Sequence, residues 1–143
     1  MSSPGRSRIY VCHTFYHAYI TCLKELHIQR DPVQKQAGAV LLLSSMSNDF
    51  GNLKERAGKS GLFTEVLPFD EKEETFFPEL AKYRTDTGNL VKNMLQRIRF
   101  TRKFGKLLEP YIPVDFKRFD DIYVFCDSDP IGYYLSTHKI YYH

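Results

Sequence analysis

The sequence predicts an α/β fold: a doubly wound (Rossmann-like) parallel sheet of about five strands in the order 3-2-1-4-5, with helices on both faces, making three layers. Two observations lead to this prediction. The predicted strands are continuous apolar runs without polar alternation, as expected of strands that are covered on both faces. Strands and helices also alternate along the chain, which is typical of parallel sheets with right-handed crossovers.

The composition fits one folded domain. The chain has 143 residues, of which 43% are hydrophobic and 15% aromatic, so it can bury a core and does not resemble a disordered sequence. We expect residues 1–7 to form a disordered tail and residues 8–143 to form the domain. The formal net charge of +3 is too small to indicate nucleic-acid binding by itself.

Cysteine usage and hydropathy indicate a cellular compartment. The three cysteines, Cys12, Cys22 and Cys126, are odd in number and lie inside apolar segments, which favours a reducing environment over a disulfide framework. The N-terminus has no apolar core of a signal peptide, and no apolar run approaches the length of a membrane span. The sequence therefore predicts a cytoplasmic protein.

A first strand and a first helix begin the chain. Residues 8–12 are a β-branched and aromatic run that predicts the strand, and Thr14 is a candidate N-cap for the helix that follows. The apolar positions of this helix recur at helical spacing: Phe15, Tyr19, Leu23 (or Cys22) and Leu26. We expect the helix to end near Ile28, because Pro32 interrupts the pattern.

Two more strands are predicted in the middle of the chain. Residues 38–43 and residues 62–69 are apolar runs, and residues 49–59 between them predict a short, exposed helix that ends near a glycine. The charge run that follows, residues 70–74, is expected to be a solvated loop or a first helical turn.

The last part of the chain predicts a long helix, a buried strand, a short helix and a fifth strand. The long helix covers residues 89–108 and should pack against another element. Its apolar stripe consists of Leu90, Val91, Met94, Leu95, Ile98 and Leu108. The buried strand is the apolar run 122–126, and the short helix covers residues 130–137 with Asp129 as its N-cap. The fifth strand begins at Lys139.

The predicted strand order places a candidate site at the carboxyl ends of the first and fourth strands. Ligands of such sheets bind outside the strand ends where the order reverses, and these two strands are neighbours at that point. The candidate cleft residues on the two loops are His13, Thr14, Phe15, Asp127, Ser128 and Asp129. The first loop, residues 12–16, contains no glycine, which disfavours a dinucleotide-binding fingerprint or a P-loop.

Two pairs of residues have the spacing of metal ligands. His13 and His17 lie four residues apart, as zinc ligands on one helix face do, but no third ligand is evident. Asp127 and Asp129 are spaced like the carboxylates with which GT-A glycosyltransferases hold Mg²⁺ or Mn²⁺. Because Asp129 also serves as a helix N-cap, Asp127 would lack its partner, and we expect no metal and no cofactor. His13 either hydrogen-bonds a polar ligand or is satisfied by backbone or water.

Four cations form a basic stripe on the long helix. Arg99, Arg102, Lys103 and Lys106 follow i, i+3, i+4, i+7 spacing, and no acidic residue lies on this helix. The stripe is either a solvated face neutralised by acids such as residues 71–74, or a surface that attracts an anionic lipid or an anionic saccharide. Nothing in it indicates base readout, so we expect no nucleic-acid partner.

Three short segments resemble a known family: IYVCHTFYH at residues 9–17, VFCDSDPIGYYL at residues 124–135 and KIYYH at residues 139–143. They are similar to glycosyltransferase family 52, the lipooligosaccharide sialyltransferases, and to the related capsular polysialyltransferases. Together the segments cover about a fifth of the chain. The middle of the sequence carries no motif of the family.

The resemblance implies the N-terminal half of a GT-B glycosyltransferase, in which two Rossmann-like domains face each other across a cleft. Such enzymes transfer sialic acid from a CMP-sugar to a cell-surface glycan without a metal. The N-terminal domain shapes the acceptor side, and a C-terminal domain that these residues do not include binds most of the nucleotide sugar. The catalytic base is expected beyond His143, so we expect no catalytic residue in this chain and no activity from it alone.

The resemblance also gives the basic stripe a role. Acceptors of the family are lipid-linked or anionic glycans at the inner membrane face, which implies peripheral membrane contact there. Two alternatives stay open from the residues themselves. One is a metal-dependent nucleotide-sugar enzyme that uses Asp127 and Asp129, and the other is a non-enzymatic, flavodoxin-like interaction module.

Overall fold

The computed structural model describes residues 4–45, 50–70, 87–125 and 130–143. Within these ranges four strands form an all-parallel sheet in the order β3-β2-β1-β4. The strands are β1 Arg8–Cys12, β2 Ala39–Ser45, β3 Glu65–Asp70 and β4 Asp121–Val124. The helices are α1 Phe15–Ile28, α2 Pro32–Ala37, α3 Leu53–Lys59, α4 Leu90–Leu108 and α5 Pro130–Thr137. The α/β class and the order of these four strands are confirmed.

The centre of the sheet is β1, which pairs with β2 on one side and β4 on the other. Ile9 aligns with Val40 and with Ile122. Because successive residues of a strand point to opposite faces, the sheet divides the core into two clusters. The cluster around Ile9 includes side chains of α4 and α5, and the cluster around Tyr10 includes side chains of α1 and α3. Helices therefore cover both faces, as predicted.

The first helix, α1, begins and ends where predicted, but its apolar stripe faces solvent. The buried residues of α1 are Ala18, Thr21 and Glu25. Its large apolar side chains are exposed: Phe15, Tyr16, Tyr19, Leu23 and Leu26. The side that packs on the sheet contains small residues, which allow a close approach, and a carboxylate that pairs with Arg8 of β1. Helical spacing predicted the helix and not its buried side.

The helix α2 was missed by the sequence analysis, which treated Pro32 only as the end of α1. Asp31 caps α2, since its side chain accepts a hydrogen bond from the backbone N–H of Val33 at 3.0 Å. Pro32 occupies the first turn of α2, where backbone N–H groups have no partner within the helix. Its lack of an N–H therefore costs no hydrogen bond. The same Asp-Pro pair therefore ends one helix and begins the next.

The fourth strand is less buried than predicted. Only Ile122 of its four residues is buried, and the rest are partly exposed. The prediction of a strand covered on both faces holds for β1, which is central, and fails for β4, which is the edge of the four-stranded sheet. Residues 126–129, which include the predicted end of this strand, lie outside the described residues.

The predicted fifth strand is not confirmed. Lys139, where it was expected to begin, has a left-handed φ of 54°. The backbone N–H of Ile140 donates back to the carbonyl of Leu135 at 2.9 Å, which is the closing bond of a helix C-terminus. These residues therefore end α5 with a left-handed turn.

The chain nevertheless reaches the outer edge of β4 at His143. Its backbone N–H donates to the carbonyl of Ile122 at 2.8 Å, and its carbonyl accepts from the N–H of Val124 at 2.9 Å. This is the hydrogen-bond pattern of a parallel neighbour at one residue of β4.

The fourth helix, α4, covers the predicted residues, but only its C-terminal half is buried. Phe104, Gly105 and Leu108 are buried, and the rings of Phe100 and Phe104 pack against Tyr133 of α5. The remaining residues of the predicted apolar stripe are exposed: Leu90, Val91, Met94, Leu95 and Ile98. Within the described ranges, no helix has the length and apolar character needed to cross a membrane.

Residues 4–7, part of the predicted tail, contact the strand ends of the sheet. Arg6 forms an ion pair with Asp121 at 2.9 Å, and the backbone N–H of Ser7 donates to the carboxylate of Asp120 at 2.8 Å. Residues 1–3 lie outside the described residues, as do residues 71–74 of the predicted charge run.

Candidate functional site

The reversal of strand order between β1 and β4 places the candidate crevice at the carboxyl ends of these strands. Of the six predicted cleft residues, the structure describes His13, Thr14 and Phe15. Residues 127–129 lie outside the described residues, so the predicted N-cap role of Asp129 and the alternative metal pair, Asp127 and Asp129, lie there too.

Thr14 has a structural role at the start of α1. Its backbone is extended, and its hydroxyl oxygen accepts a hydrogen bond from the backbone N–H of His17 at 3.1 Å. This is the geometry of an N-cap, as predicted. The cap fixes the first turn of α1 and therefore the direction in which the side chain of His17 projects from the helix.

His13 and His17 are linked by a hydrogen bond from backbone to side chain. The backbone N–H of His13 donates to Nδ1 of His17 at 3.1 Å. A neutral imidazole that accepts at Nδ1 carries its proton on Nε2, so the free nitrogen of His17 is a donor. Burial, and then the nearby His13, lower the pKa of His17, which favours this neutral form near pH 7.

Phe125, the residue directly after β4, stacks on His17. The two ring centroids lie 4.2 Å apart and the ring planes are 7° from parallel. The rings of His13 and His17 meet edge to face at 6.0 Å. His13, His17 and Phe125 thus form one group between the start of α1 and the end of β4, which we call the switch-point cluster.

His17 of α1 contacts Phe125, and neither residue was among the predicted cleft residues. The proximity of the two predicted loops stays a prediction, because residues 127–129 lie outside the described residues. His17 was considered only as a zinc ligand, and Phe125 only as part of a strand. The sequence carried a signal for the contact, because Phe125 lies only two residues before Asp127, where the second predicted loop begins. Phe15 instead turns its ring edge toward the buried Phe50, at 5.8 Å between centroids.

The two thiols near the cluster that the structure describes, Cys12 and Cys22, are unsuited to nucleophilic chemistry. Cys12 ends β1 and is fully buried, and burial raises the pKa of its thiol to about 12. Burial also raises the pKa of Cys22. Both stay protonated at neutral pH, whereas a reactive cysteine needs a lowered pKa. Within the described part of the chain, no group of three or more His, Cys, Asp or Glu side chains could hold a metal ion.

A second polar group lies at the opposite edge of the sheet and was missed entirely. Arg8 donates to both carboxylate oxygens of Glu25, at 2.7 and 2.9 Å. The hydroxyl of Tyr10 and the amide of Gln29 donate to the same carboxylate, at 2.5 and 2.7 Å. Because Glu25 accepts four hydrogen bonds and is fully buried, we interpret this group as part of the core.

A cavity of about 530 Å³ lies beside this network, and Arg6 and Arg8 line it. Both guanidinium groups are already paired, Arg6 with Asp121 and Arg8 with Glu25. Two of the three arginines that line the cavity are thus used within the fold, and the third, Arg30, is exposed to solvent. This edge also lies at the amino ends of the strands, where sheets of this kind do not bind their ligands.

The basic stripe is exposed along its whole length: Arg99, Arg102, Lys103 and Lys106 all lie on the solvent side of α4. Arg99, Arg102 and Lys106 form no ion pair with any residue that the structure describes. The neutralising acids considered above, residues 71–74, lie outside those residues. The stripe and the switch-point cluster are on different elements.

The switch-point cluster offers one imidazole donor beside an aromatic face, at the edge of the sheet where ligands bind. Such a site can hydrogen-bond a hydroxyl or carboxylate and contact an apolar surface, and it contains no nucleophile. No family model, curated protein or solved structure matches this chain.

The contact with Phe125 makes a prediction about the titration of His17. Phe125→Ala should raise the pKa of His17 toward its ordinary value of 6.5, because the variant removes part of the burial that lowers it. The measurement is an NMR titration of the imidazole resonances. Phe15→Ala, which removes a ring that contacts Phe50 instead, is the matched control and should leave the titration unchanged.

The lowered pKa of His17 also determines the direction in which stability changes with pH. Because the pKa of His17 is lower in the folded state than in the unfolded state, its contribution to stability is complete above pH 6.5 and is lost as the pH falls through the folded pKa. If Phe125→Ala left the pKa of His17 unchanged, the stacked ring would not be the cause of the shift.

Proposed function

We propose that this chain is the acceptor-side, Rossmann-like domain of a glycosyltransferase resembling bacterial sialyltransferases. It holds a cell-surface glycan acceptor, and the enzyme transfers a sugar to it, sialic acid from a CMP-sugar by the family resemblance. The observation that supports the proposal is the switch-point cluster. It lies at the reversal of an all-parallel sheet, where α/β enzymes bind their ligands.

The chemistry of the cluster suits a saccharide. Nε2 of neutral His17 is a donor for a sugar hydroxyl or carboxylate, and exposed Phe125 presents an apolar surface for the ring carbons. The exposed aromatic ring of Phe15 belongs to the first residue of α1, two residues after His13. No group in the cluster is a candidate nucleophile or metal ligand set, as expected of a domain that binds the acceptor and leaves the chemistry to residues elsewhere.

The proposal includes the finer architecture. The domain is the N-terminal half of a GT-B fold, with a fifth strand beside β4, where His143 makes its two backbone hydrogen bonds. The nucleotide sugar is held mainly by a second domain, and the catalytic base lies beyond His143. The proposal places the enzyme in the cytoplasm, at the inner membrane face.

The proposal is tested by titrating the chain with saccharides while the histidine side chains are observed by NMR. Lactose and sialyllactose serve as acceptor probes, and CMP and CMP-sialic acid as nucleotide probes. A saccharide should shift the resonances of His13 and His17, and His17→Ala or Phe125→Ala should weaken its binding at least about tenfold. Tyr141→Ala, an exposed ring outside the cluster, is the control and should bind as the parent chain does.

Other outcomes would favour the alternatives. Binding of CMP-sialic acid that requires Mn²⁺ and is abolished by Asp127→Ala would replace the proposal with a metal-dependent nucleotide-sugar enzyme. Absence of binding to every saccharide and nucleotide would favour a non-enzymatic interaction module.

A further inference from the structure

The N-terminal half of α4 presents an apolar face that no described residue covers. The exposed fractions of its side chains run from 45% for Ile98 to 87% for Leu90. The face consists of Leu90, Val91, Met94, Leu95 and Ile98, and we call it the α4 apolar face. Helices of soluble proteins normally bury such a stripe against the core.

Cations border this face on both sides. At 100° per residue, Arg97 lies on one border of the α4 apolar face and Arg99 lies on the other, while Arg102 lies one turn beyond Ile98 on the same side of the helix as the face. All three side chains are exposed. The whole helix, residues 90–108, carries six Lys and Arg residues and no Asp or Glu. The helix is therefore amphipathic, and every charged residue on its polar side is a cation.

The other exposed apolar helix face in the described residues, on α1, lacks this charge pattern. Residues 15–28 contain a single Lys or Arg, Lys24. The ammonium of Lys24 is turned onto the ring of Tyr123, at 3.3 Å from the ring centroid. The α4 apolar face thus has neighbouring cations that an anionic lipid surface would attract, and the apolar face of α1 does not.

We propose that the α4 apolar face docks on the surface of an anionic lipid bilayer. Interfacial helices combine a large apolar side with a Lys- and Arg-rich polar side, and they lie in the plane of the headgroups. Here Leu90 to Ile98 enter the boundary between headgroups and acyl chains, and the arginines on the two borders contact lipid phosphates. The basic stripe continues this contact along the helix.

The inference does not depend on the proposed function. Neither a saccharide nor a nucleotide is needed for docking, so failure to bind lipid and failure to bind an acceptor are separate results. The two proposals agree in one respect, since an enzyme that modifies lipid-linked glycans works at a membrane surface.

The first test is cosedimentation of the whole chain with vesicles of phosphatidylcholine alone or with 30% phosphatidylglycerol. Each Lys or Arg near an anionic surface strengthens binding about fivefold at low salt. Binding should therefore be at least about tenfold tighter to the anionic vesicles and should weaken as salt is raised. Equal binding to both vesicle types, or none, would overturn the proposal.

Matched variants identify the face. Leu90→Ser/Met94→Ser and Arg99→Glu/Arg102→Glu should each reduce binding to anionic vesicles at least about tenfold. The controls make the same kinds of change on other exposed surfaces: Leu23→Ser/Leu26→Ser on α1 and Lys54→Glu/Arg56→Glu on α3. Controls that lose as much binding as the α4 variants would contradict the proposal.

A fluorescence test separates insertion into lipid from coverage by protein. The chain contains no tryptophan, so Met94→Trp gives a single reporter on the α4 apolar face. Its emission should shift to the blue when anionic vesicles are added, while Leu26→Trp on α1 should not respond. If Met94→Trp emits as a buried residue before lipid is added and does not change, another part of this chain or a second copy covers the face, and the proposal is wrong.

Discussion

Glu25→Gln is expected to lower the free energy of unfolding by about 3–5 kcal/mol at neutral pH. The substitution keeps the shape of the side chain but removes the charge that pairs with Arg8. The guanidinium of Arg8 is only 2% exposed and would remain buried without a counter-charge. An uncompensated buried charge costs far more than the net contribution of the intact pair.

Thermal or urea unfolding monitored by circular dichroism measures this loss, which should appear as a fall in Tm of about 10 °C. The matched control is Glu55→Gln, because Glu55 pairs with Lys59 at the same 2.7 Å but in solvent. That exposed pair should contribute less than about 0.5 kcal/mol. Equal losses for the two variants would show that burial does not determine the effect.

A double variant separates the loss of the ion pair from the cost of burying an unpaired charge. Arg8→Met/Glu25→Leu removes both charges and should recover much of the stability that Glu25→Gln loses, because well-packed apolar residues can replace a buried ion pair. A double variant as unstable as Glu25→Gln would indicate that Tyr10 and Gln29, left without their acceptor, account for the loss.

The pH dependence supplies an independent check. Burial alone would raise the pKa of Glu25, but hydrogen bonds from Arg8, Tyr10 and Gln29 together lower it below its ordinary value of 4.5. A lowered pKa in the folded state means that the contribution of Glu25 is complete above pH 4.5 and is lost as the pH falls through the folded pKa. The difference in the free energy of unfolding between the parent chain and Glu25→Gln should therefore become smaller at acidic pH.

The Arg8–Glu25 pair shows what the sequence could not predict. Local patterns assign charged residues to solvent, and nothing near Arg8 or Glu25 indicates that each is the other's partner across the α1–β1 packing. The same pair explains why the predicted orientation of α1 failed, since the carboxylate and two small residues face the sheet in place of the apolar stripe. Long-range pairing outweighed amphipathic spacing here.

The elements themselves could be predicted, because their signals are local. Thr14 caps α1 at the predicted position, and the helical period of α4 predicted its length to within one residue. Asn89, predicted as the first residue of α4, is its N-cap instead. For the candidate site, strand topology predicted the location and not the side-chain contacts. Strand order predicts that the two loops lie near each other, but the stacking of His17 on Phe125 depends on ring orientations that no spacing encodes.

Gly105→Ala should destabilise the protein by about 1–3 kcal/mol, although alanine is the better helix former. Gly105 lies inside α4, where exchanging glycine for alanine normally stabilises by about 1 kcal/mol. A Cβ at this position would lie 2.6 Å from Cβ of Thr137 on α5. Thr137 cannot turn away without cost, because its hydroxyl donates to the carbonyl of Thr101 at 3.0 Å.

Gly58 provides a control of opposite sign. It lies inside α3, and a Cβ there would meet no atom within 4 Å, so Gly58→Ala should stabilise the protein by about 0.5–1 kcal/mol. Urea unfolding of both variants measures the two effects on one scale. The clash also predicts a coupling: in a Thr137→Gly background, Gly105→Ala should lose most of its cost, since the opposing Cβ is gone. If Gly105→Ala were as favourable as Gly58→Ala, α4 and α5 would not pack as closely as the structure shows, and the half of α4 that is buried would have to be reassigned.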